Sequence, residues 1–210
     1  MESKSAVQVY LIRHAQCELN VQLDDAPLST RLSRKAFNTL VRGDLESPLT
    51  PEGIAQAKRL ADQLAEVHFD RLYTSPLPRA MATAAALSET LHLTPQVMDD
   101  LRELRSALLR ERAGELSLRR LFWQSYSRML LSPTSPDAFS RSYRRAQAAW
   151  NQITREPAEA IAVVSHGFLL RFLLLHILTD RRWRIISRDL NNCGISLVVP
   201  RGASAKPGVK

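Results

Sequence analysis

Short apolar runs alternate along this chain with longer stretches of helical periodicity. Val7 to Ile12 is compact and rich in β-branched residues, and reads as a buried strand. Arg71-Leu72-Tyr73, Val97-Met98, Ile161 to Val164 and Ile195 to Val199 read the same way. Between them, Ile54, Ala57, Ala61, Leu64 and Val67 recur at helical spacing and predict a core-facing helix that ends near His68. Thr50-Pro51-Glu52 starts it: Thr caps, Pro suits the first helical position, and Glu complements the positive end of the dipole. Ser75-Pro76 predicts another start by the same logic, for a helix carrying Met81, Ala84, Ala85, Leu87 and Leu91. From Leu104 to about Pro157 the pattern is mostly helical, with helices over 116–131 and 137–154 broken at Ser132-Pro133-Thr134-Ser135-Pro136. Phe168 to Leu178 is a last helix.

Three strands end in chemistry. The first runs into Arg13-His14, the 161–164 strand into Ser165-His166-Gly167, and the 71–73 strand into Thr74-Ser75-Pro76-Leu77-Pro78-Arg79. In an open α/β sheet ligands bind at the carboxyl ends of strands. One edge therefore receives two histidines and two arginines. A lone Arg-His pair would read as a solvated turn; the second histidine-bearing strand end changes that. Guanidinium beside imidazole holds an anion and presents a nucleophile to it. Arg79 falls in the first turns of its helix, near the positive end of the dipole, which suits a phosphate.

The 210 residues, 45% hydrophobic and 24% charged, suffice for one well-cored domain over 1–199. Residues 200–210, with Gly, Ala, Ser, Pro and Lys, read as a disordered tail. No apolar run reaches membrane-spanning length; Arg171 and His176 interrupt the longest. The first residues lack the apolar core of a signal peptide, so a cytoplasmic protein is expected. Cys17 and Cys193 cannot build a thiolate zinc site alone, and no disulfide is expected. Cys17 lies close enough to His14 for its oxidation to block the site, although an inert thiol is the default. His68 and His92 read as surface or capping residues.

The net charge of +8 and pI near 10.1 favour anionic ligands. The excess collects in Arg31 to Arg42, Arg102 to Arg120, and Arg181 to Arg188. No nucleic-acid module is recognisable, so nucleic acid is not the expected partner, and solvated helix faces are the default reading of these clusters. The oligomeric state cannot be read from the sequence. Residues 21–47 form a basic insert directly after the Arg-His stretch, with helical character from Ser33 to Val41. Leu32, Ala36, Phe37 and Leu40 fall near one face of it. It reads either as a flap over the site or as a surface excursion.

With Leu11-Ile12-Arg13-His14 and Asn20, Pro48-Leu49-Thr50-Pro51-Glu52-Gly53, Ser75-Pro76-Leu77-Pro78-Arg79-Ala80, Thr83-Ala84, Leu101-Arg102-Glu103, Val164-Ser165-His166-Gly167 and Asn192-Cys193-Gly194-Ile195-Ser196, the chain resembles the histidine phosphatase superfamily. This is also called the phosphoglycerate mutase-like fold. The resemblance covers most of residues 7–199. It implies an α/β fold: a three-layer sandwich with a mostly parallel central sheet and a helical cap, about 104–157, inserted after the third strand region.

The resemblance also implies a metal-independent phosphomonoester hydrolase with no cofactor, acting on a phosphorylated small molecule. His14 is the expected nucleophile, forming a phosphohistidine that water hydrolyses. Arg13 and Arg79 clamp the phosphoryl oxygens, a protonated His166 adds a third cationic donor, and Asn20 and Gly167 complete the phosphate site. Glu103 is the expected general acid, with Glu111 or Glu115 as fallback. Its surface alternative is an ion pair with Arg102 or Arg105. Ala15 stands where a glycine is commonest, and the Gly-x-Trp-Glu-Gly that usually follows the acid is absent. The alternatives are a phosphoglycerate mutase-type phosphotransferase and a non-catalytic phosphate-ligand binding protein.

Overall fold

Ile12 and Val164 lie side by side in register at the centre of a six-stranded sheet, and that pairing fixes where the two Arg/His-bearing segments emerge. The computed structural model describes residues 7–24 and 26–203. Its strands are β1 (Gln8–Arg13), β2 (Arg31–Ser33), β3 (Arg71–Thr74), β4 (Gln96–Val97), β5 (Glu115–Ser117), β6 (Ala160–Ser165), β7 (Trp183–Ser187) and β8 (Ile195–Pro200). The α-helices are α1 (Arg34–Gly43), α2 (Pro51–Leu64), α3 (Pro78–Leu91), α4 (Leu118–Leu131), α5 (Phe139–Ile153) and α6 (Gly167–Thr179). The main sheet runs β4-β3-β6-β1-β8-β7. β4, β3, β6 and β1 are mutually parallel, and β8 pairs antiparallel with both neighbours.

Both faces of the sheet are buried, which is why its central strands read as continuous apolar runs. Val9, Leu11, Ile161 and Val163 face one core, closed by α5 and α6 through Trp150, Ile153, Leu170 and Leu173. Tyr10, Ile12, Ala162 and Val164 face the other, closed by α2 and α3 through Leu60, Leu64, Ala84 and Leu87. The result is the expected three-layer α/β sandwich. A third cluster joins the insert to the cap, with Leu23 and Phe37 packed on Leu109, Leu118 and Leu121.

Several local expectations need correction. In α2 the buried stripe is Gly53, Ala57, Leu60, Ala61 and Leu64, while Ile54 is half exposed. α3 begins at Pro78, not at Ser75-Pro76: Leu77, preceding a proline, is held extended, and the Ser75 hydroxyl instead accepts from the Leu77 amide at 3.2 Å. Residues 104–114 are not helical, and Glu115 to Ser117 form a strand, because Arg31 to Ser33 supply a ladder partner from far along the chain. β7, inside a stretch read as a basic cluster, is a strand on the sheet edge. Pro200 belongs to β8, and the Arg201 amide donates to the Arg182 carbonyl at 2.8 Å; residues 204–210 lie outside the described residues. Among the described residues no helix is long and apolar enough to cross a membrane.

Candidate active site

Three adjacent parallel strands, β3, β6 and β1, release their chains at one sheet edge. Arg13 is in register with Ser165, the His14 amide donates to the Ser165 carbonyl at 2.9 Å, and the Ser75 amide donates to the Val164 carbonyl at 3.1 Å. Strand register alone therefore delivers His14, His166 and Ser75 to one place. The two imidazoles face each other with centroids 5.0 Å apart. Arg79, from the first turn of α3, is 2% exposed and donates through Nε to His14 Nε2 at 3.1 Å.

His14 is 3% exposed, and its Nδ1 lies 2.7 Å from the Ala15 carbonyl. A carbonyl only accepts, so Nδ1 carries the hydrogen and Nε2 keeps its lone pair. Burial first, then the charges of Arg79 and Arg13, hold the imidazole well below its ordinary pKa, against the opposing pull of the Ala15 carbonyl. These effects favour the neutral ring, with Nε2 directed at the guanidinium.

His166, fully buried, is also held well below the ordinary range, by burial and by the charges of His14, Arg79, Arg13 and Arg145. Burial and the cations Arg79, Arg13 and Arg145 favour the neutral ring, against the expectation of a protonated His166. Its Nε2 lies 2.8 Å from the Ser75 hydroxyl, and its Nδ1 has no partner among the described residues. Because Ser75 Oγ already accepts from Leu77, its hydrogen is free for His166 Nε2, which leaves Nδ1–H for an incoming oxygen.

Arg13 donates through Nη1 to the Leu190 carbonyl at 3.1 Å and passes close to Gly167, where a Cβ would sit 3.4 Å from Arg13 Nε and 3.2 Å from Arg171 Nη1. Gly167 thus admits the guanidinium beside the amino end of α6. Asn20 is buried and holds the loop: its Oδ1 accepts from the Cys17 amide, the Cys17 thiol and Asn192 Nδ2, at 3.1, 3.2 and 3.0 Å. Cys17 and Cys193 are both free thiols, and burial pushes the Cys193 pKa up to about 12.

Glu103 accepts from the amides of Leu104 (2.9 Å), Phe168 (3.1 Å) and Leu169 (3.1 Å), so its carboxyl closes the amino end of α6. It is not paired with Arg102 or Arg105; Arg102 lies 3.7 Å from Asp99. Burial raises its pKa, the Leu104 and Phe168 amides oppose that, the Asp44 charge raises it further, and Arg79 lowers it. Burial prevails, and the carboxyl holds a proton more readily than a solvated one. Glu111 and Glu115 are exposed, and Glu115 pairs with Arg31 in the β2–β5 ribbon.

Four contributors escaped the sequence reading. Asp44, from the insert, grips Arg79: its Oδ1 lies 3.0 Å from Nη2 and its carbonyl accepts from Nη1. Ser75 sets the His166 tautomer. Thr83 accepts the Ala15 amide at 3.0 Å, and Asn192 donates to the His14 carbonyl at 3.0 Å. Ser75, Thr83 and Asn192 stand within quoted motifs, but only their fold-level neighbours show what they hold. Among the described residues no three His, Cys, Asp or Glu side chains form a metal-holding group.

The profile of the histidine phosphatase superfamily (branch 1) matches residues 9–206. The chain belongs to that superfamily. It is 28% identical over 205 residues to a probable phosphoglycerate mutase of Proteus mirabilis, covering 91% of this chain and 84% of that one. It is 26% identical over 183 residues to an adenosylcobalamin/alpha-ribazole phosphatase of Salmonella typhimurium, covering 82% and 80%. Among solved structures, phosphoglycerate mutase from Bacillus anthracis superposes with a TM-score of 0.66 over 97% of this chain and 92% of that one, at 23% identity. In this member of the histidine phosphatase superfamily the ends of the motif strands coincide with the His14–His166–Arg79 cluster.

Proposed function

We propose that this histidine phosphatase hydrolyses phosphomonoesters of small molecules, without a metal, through a phosphohistidine on His14. The observation that carries the reading is the neutral His14 Nε2, 3.1 Å from Arg79 Nε, with the His166 ring 5.0 Å away. A phosphate drawing Arg79 and Arg13 onto its oxygens uncovers the Nε2 lone pair for in-line attack. The new P–N bond forms as the ester P–O bond breaks, and the departing oxygen takes the proton held by Glu103. A water then attacks phosphorus, returns a proton to Glu103, and releases phosphate from nitrogen. His166 Nδ1 and the guanidiniums steady the charge on the equatorial oxygens. Asn20 and Gly167 act on the phosphate site through the backbone and side chains they place around it. The free thiols suit a cytoplasmic setting.

Hydrolysis of p-nitrophenyl phosphate in EDTA by the wild type, and its loss by about 10³-fold or more in His14→Ala, tests this. Equal rates in the two proteins, or activity that needs a divalent ion, refute it. A mutase reading is favoured by the Proteus mirabilis relative's name. Isomerisation of 3- to 2-phosphoglycerate faster than phosphate release would select that reading over hydrolysis.

A further inference from the structure

A cavity of about 440 Å³ lies away from His14, lined by Arg34, Leu109, Arg110, Arg112, Gln124 and Arg128. Its four guanidiniums come from three separate segments: the amino end of α1, the non-helical 104–114 stretch, and the last turn of α4. Arg34, Arg110 and Arg112 belong to two basic clusters that read, in sequence, as solvated faces, and Arg128 stands outside them. The fold turns them toward one hollow.

Arg110, Arg112 and Arg128 are exposed, but the backbone that carries the first two is fixed. Asn38 of α1 grips the backbone at Leu109, donating to its carbonyl and accepting its amide at 2.8 Å each, and Ser125 of α4 donates to the Ala107 carbonyl at 2.7 Å. Leu109 is buried against Phe37, Leu118 and Leu121. Arg110 and Arg112 are thus carried by a strap fixed to both neighbouring helices.

None of the four arginines lies within 4.0 Å of a carboxylate among the described residues. The nearest acidic residues in sequence are Glu111, which is exposed, and Glu115, which is taken by Arg31. The first turn of α1 also lacks an acidic residue, so the positive end of its dipole adds to the same field. Four like charges gathered without a carboxylate partner among the described residues repel one another, and an anion of matching size relieves that repulsion.

We propose that this cavity is a binding site for a compact polyanion, a small molecule carrying two or more adjacent phosphates, distinct from the catalytic pocket. A single phosphate engages one or two guanidiniums; a chain of phosphates meets all four. The volume suits a ligand of that size. α1 spans roughly 15 Å between Arg34 and Asp44, which keeps the two anion sites apart. The proposal stands independently of the catalytic reading.

Isothermal titration calorimetry with tripolyphosphate, ATP, orthophosphate and a short single-stranded oligonucleotide tests it. The proteins are the wild type, Arg110→Gln/Arg128→Gln, and Arg79→Gln, which weakens the catalytic pocket. Tripolyphosphate is expected to bind the wild type and Arg79→Gln alike, to bind the double variant at least tenfold more weakly, and to outcompete orthophosphate at least tenfold. Turnover of p-nitrophenyl phosphate by the double variant should stay within twofold of wild type. ATP matching tripolyphosphate assigns recognition to the phosphate chain, and tighter ATP adds a nucleoside contact; both support the site. Equal tripolyphosphate affinity in the double variant, loss of binding in Arg79→Gln alone, or tighter binding of the oligonucleotide than of tripolyphosphate overturns it. Should the double variant melt below wild type, Arg112→Gln, exposed and without an ion pair, serves in its place with the same expected direction.

Discussion

Arg79 Nε donates to His14 Nε2 at 3.1 Å, so a buried guanidinium rests on the lone pair that the proposed mechanism uses for attack. After burial, the Arg79 charge is the next cause that holds this imidazole below its ordinary pKa.

Arg79→Gln is expected to cost about 10²–10³ in kcat/KM. It should also move the acid limb of the pH profile. The Arg79 charge lowers the His14 pKa, so its removal raises that pKa toward the ordinary 6.5, while burial still holds it down. Wild-type kcat/KM should therefore stay level as pH falls through 6.5, and the variant's acid limb should lie higher. A limb displaced downward would contradict this electrostatic account.

Asp44 competes with substrate for the same guanidinium. Asp44→Asn removes that competitor and leaves Arg79, 2% exposed, short of a counter-charge. Inorganic phosphate should then inhibit about 5- to 20-fold more tightly, the equivalent of a charge-assisted contact of roughly 1–2 kcal/mol. The thermal midpoint should fall without phosphate and recover with it. Unchanged phosphate inhibition would place Asp44 outside the binding event.

What could be read from the chain divides along physical lines. Buried strands and strand-end histidines were legible because both sheet faces are covered, so Val9 to Ile12 and Ile161 to Val164 are apolar throughout and the first polar residue marks the exit. β2 and β5 were not: each is a three-residue piece whose stability comes from a partner over 80 residues away. Asp44 was invisible for the same reason, since nothing in Gly43-Asp44-Leu45 announces an arginine on α3. The direction of the His166 shift was not legible because it depends first on complete burial and then on His14, Arg79, Arg13 and Arg145, which only the fold assembles around it.

Gly53 shows how α2 supports the nucleophile loop. A Cβ there would sit 1.9 Å from the Gln16 carbonyl oxygen, and Thr50 donates to Gln16 Oε1 at 2.9 Å while the Gln16 amide reaches Gln56 Oε1 at 2.9 Å. Gly53→Ala must push the helix off the loop. About 1–3 kcal/mol of stability should be lost on denaturant unfolding, together with a fall in kcat. A variant as stable and active as wild type would mean the loop shifts freely.

Two depressed histidines in the site, with His176 shifted the same way by burial, make stability depend on pH. For His14 and His166 the folded pKa lies below 6.5, so between that folded value and 6.5 the unfolded chain binds more protons. Their contribution is complete above 6.5 and is lost as pH falls below it. Glu103 acts in the opposite sense, its stabilisation fading as pH rises through the window above 4.5. The thermal midpoint should therefore drop between pH 7 and 5.5, and the drop should shrink in His166→Asn. An equal drop in the variant would assign the effect elsewhere.

Glu103 has two duties, and they can be separated by the leaving group. Its carboxyl closes the amino end of α6 through the Phe168 and Leu169 amides, and burial favours its protonated form. Glu103→Gln keeps one acceptor oxygen, placed for the Leu104 and Leu169 amides, at the cost of the Phe168 bond, and has no proton to give. An alkyl phosphate, whose alkoxide leaves poorly, should lose about 10²–10³ in kcat/KM, whereas p-nitrophenyl phosphate, whose phenolate leaves unaided, should lose less than tenfold in kcat/KM. Were Glu103 only a cap, both substrates would decline in parallel with the melting temperature. Burst kinetics with p-nitrophenyl phosphate adds a second check: dephosphorylation needs Glu103 as base, so phosphohistidine should accumulate in the variant.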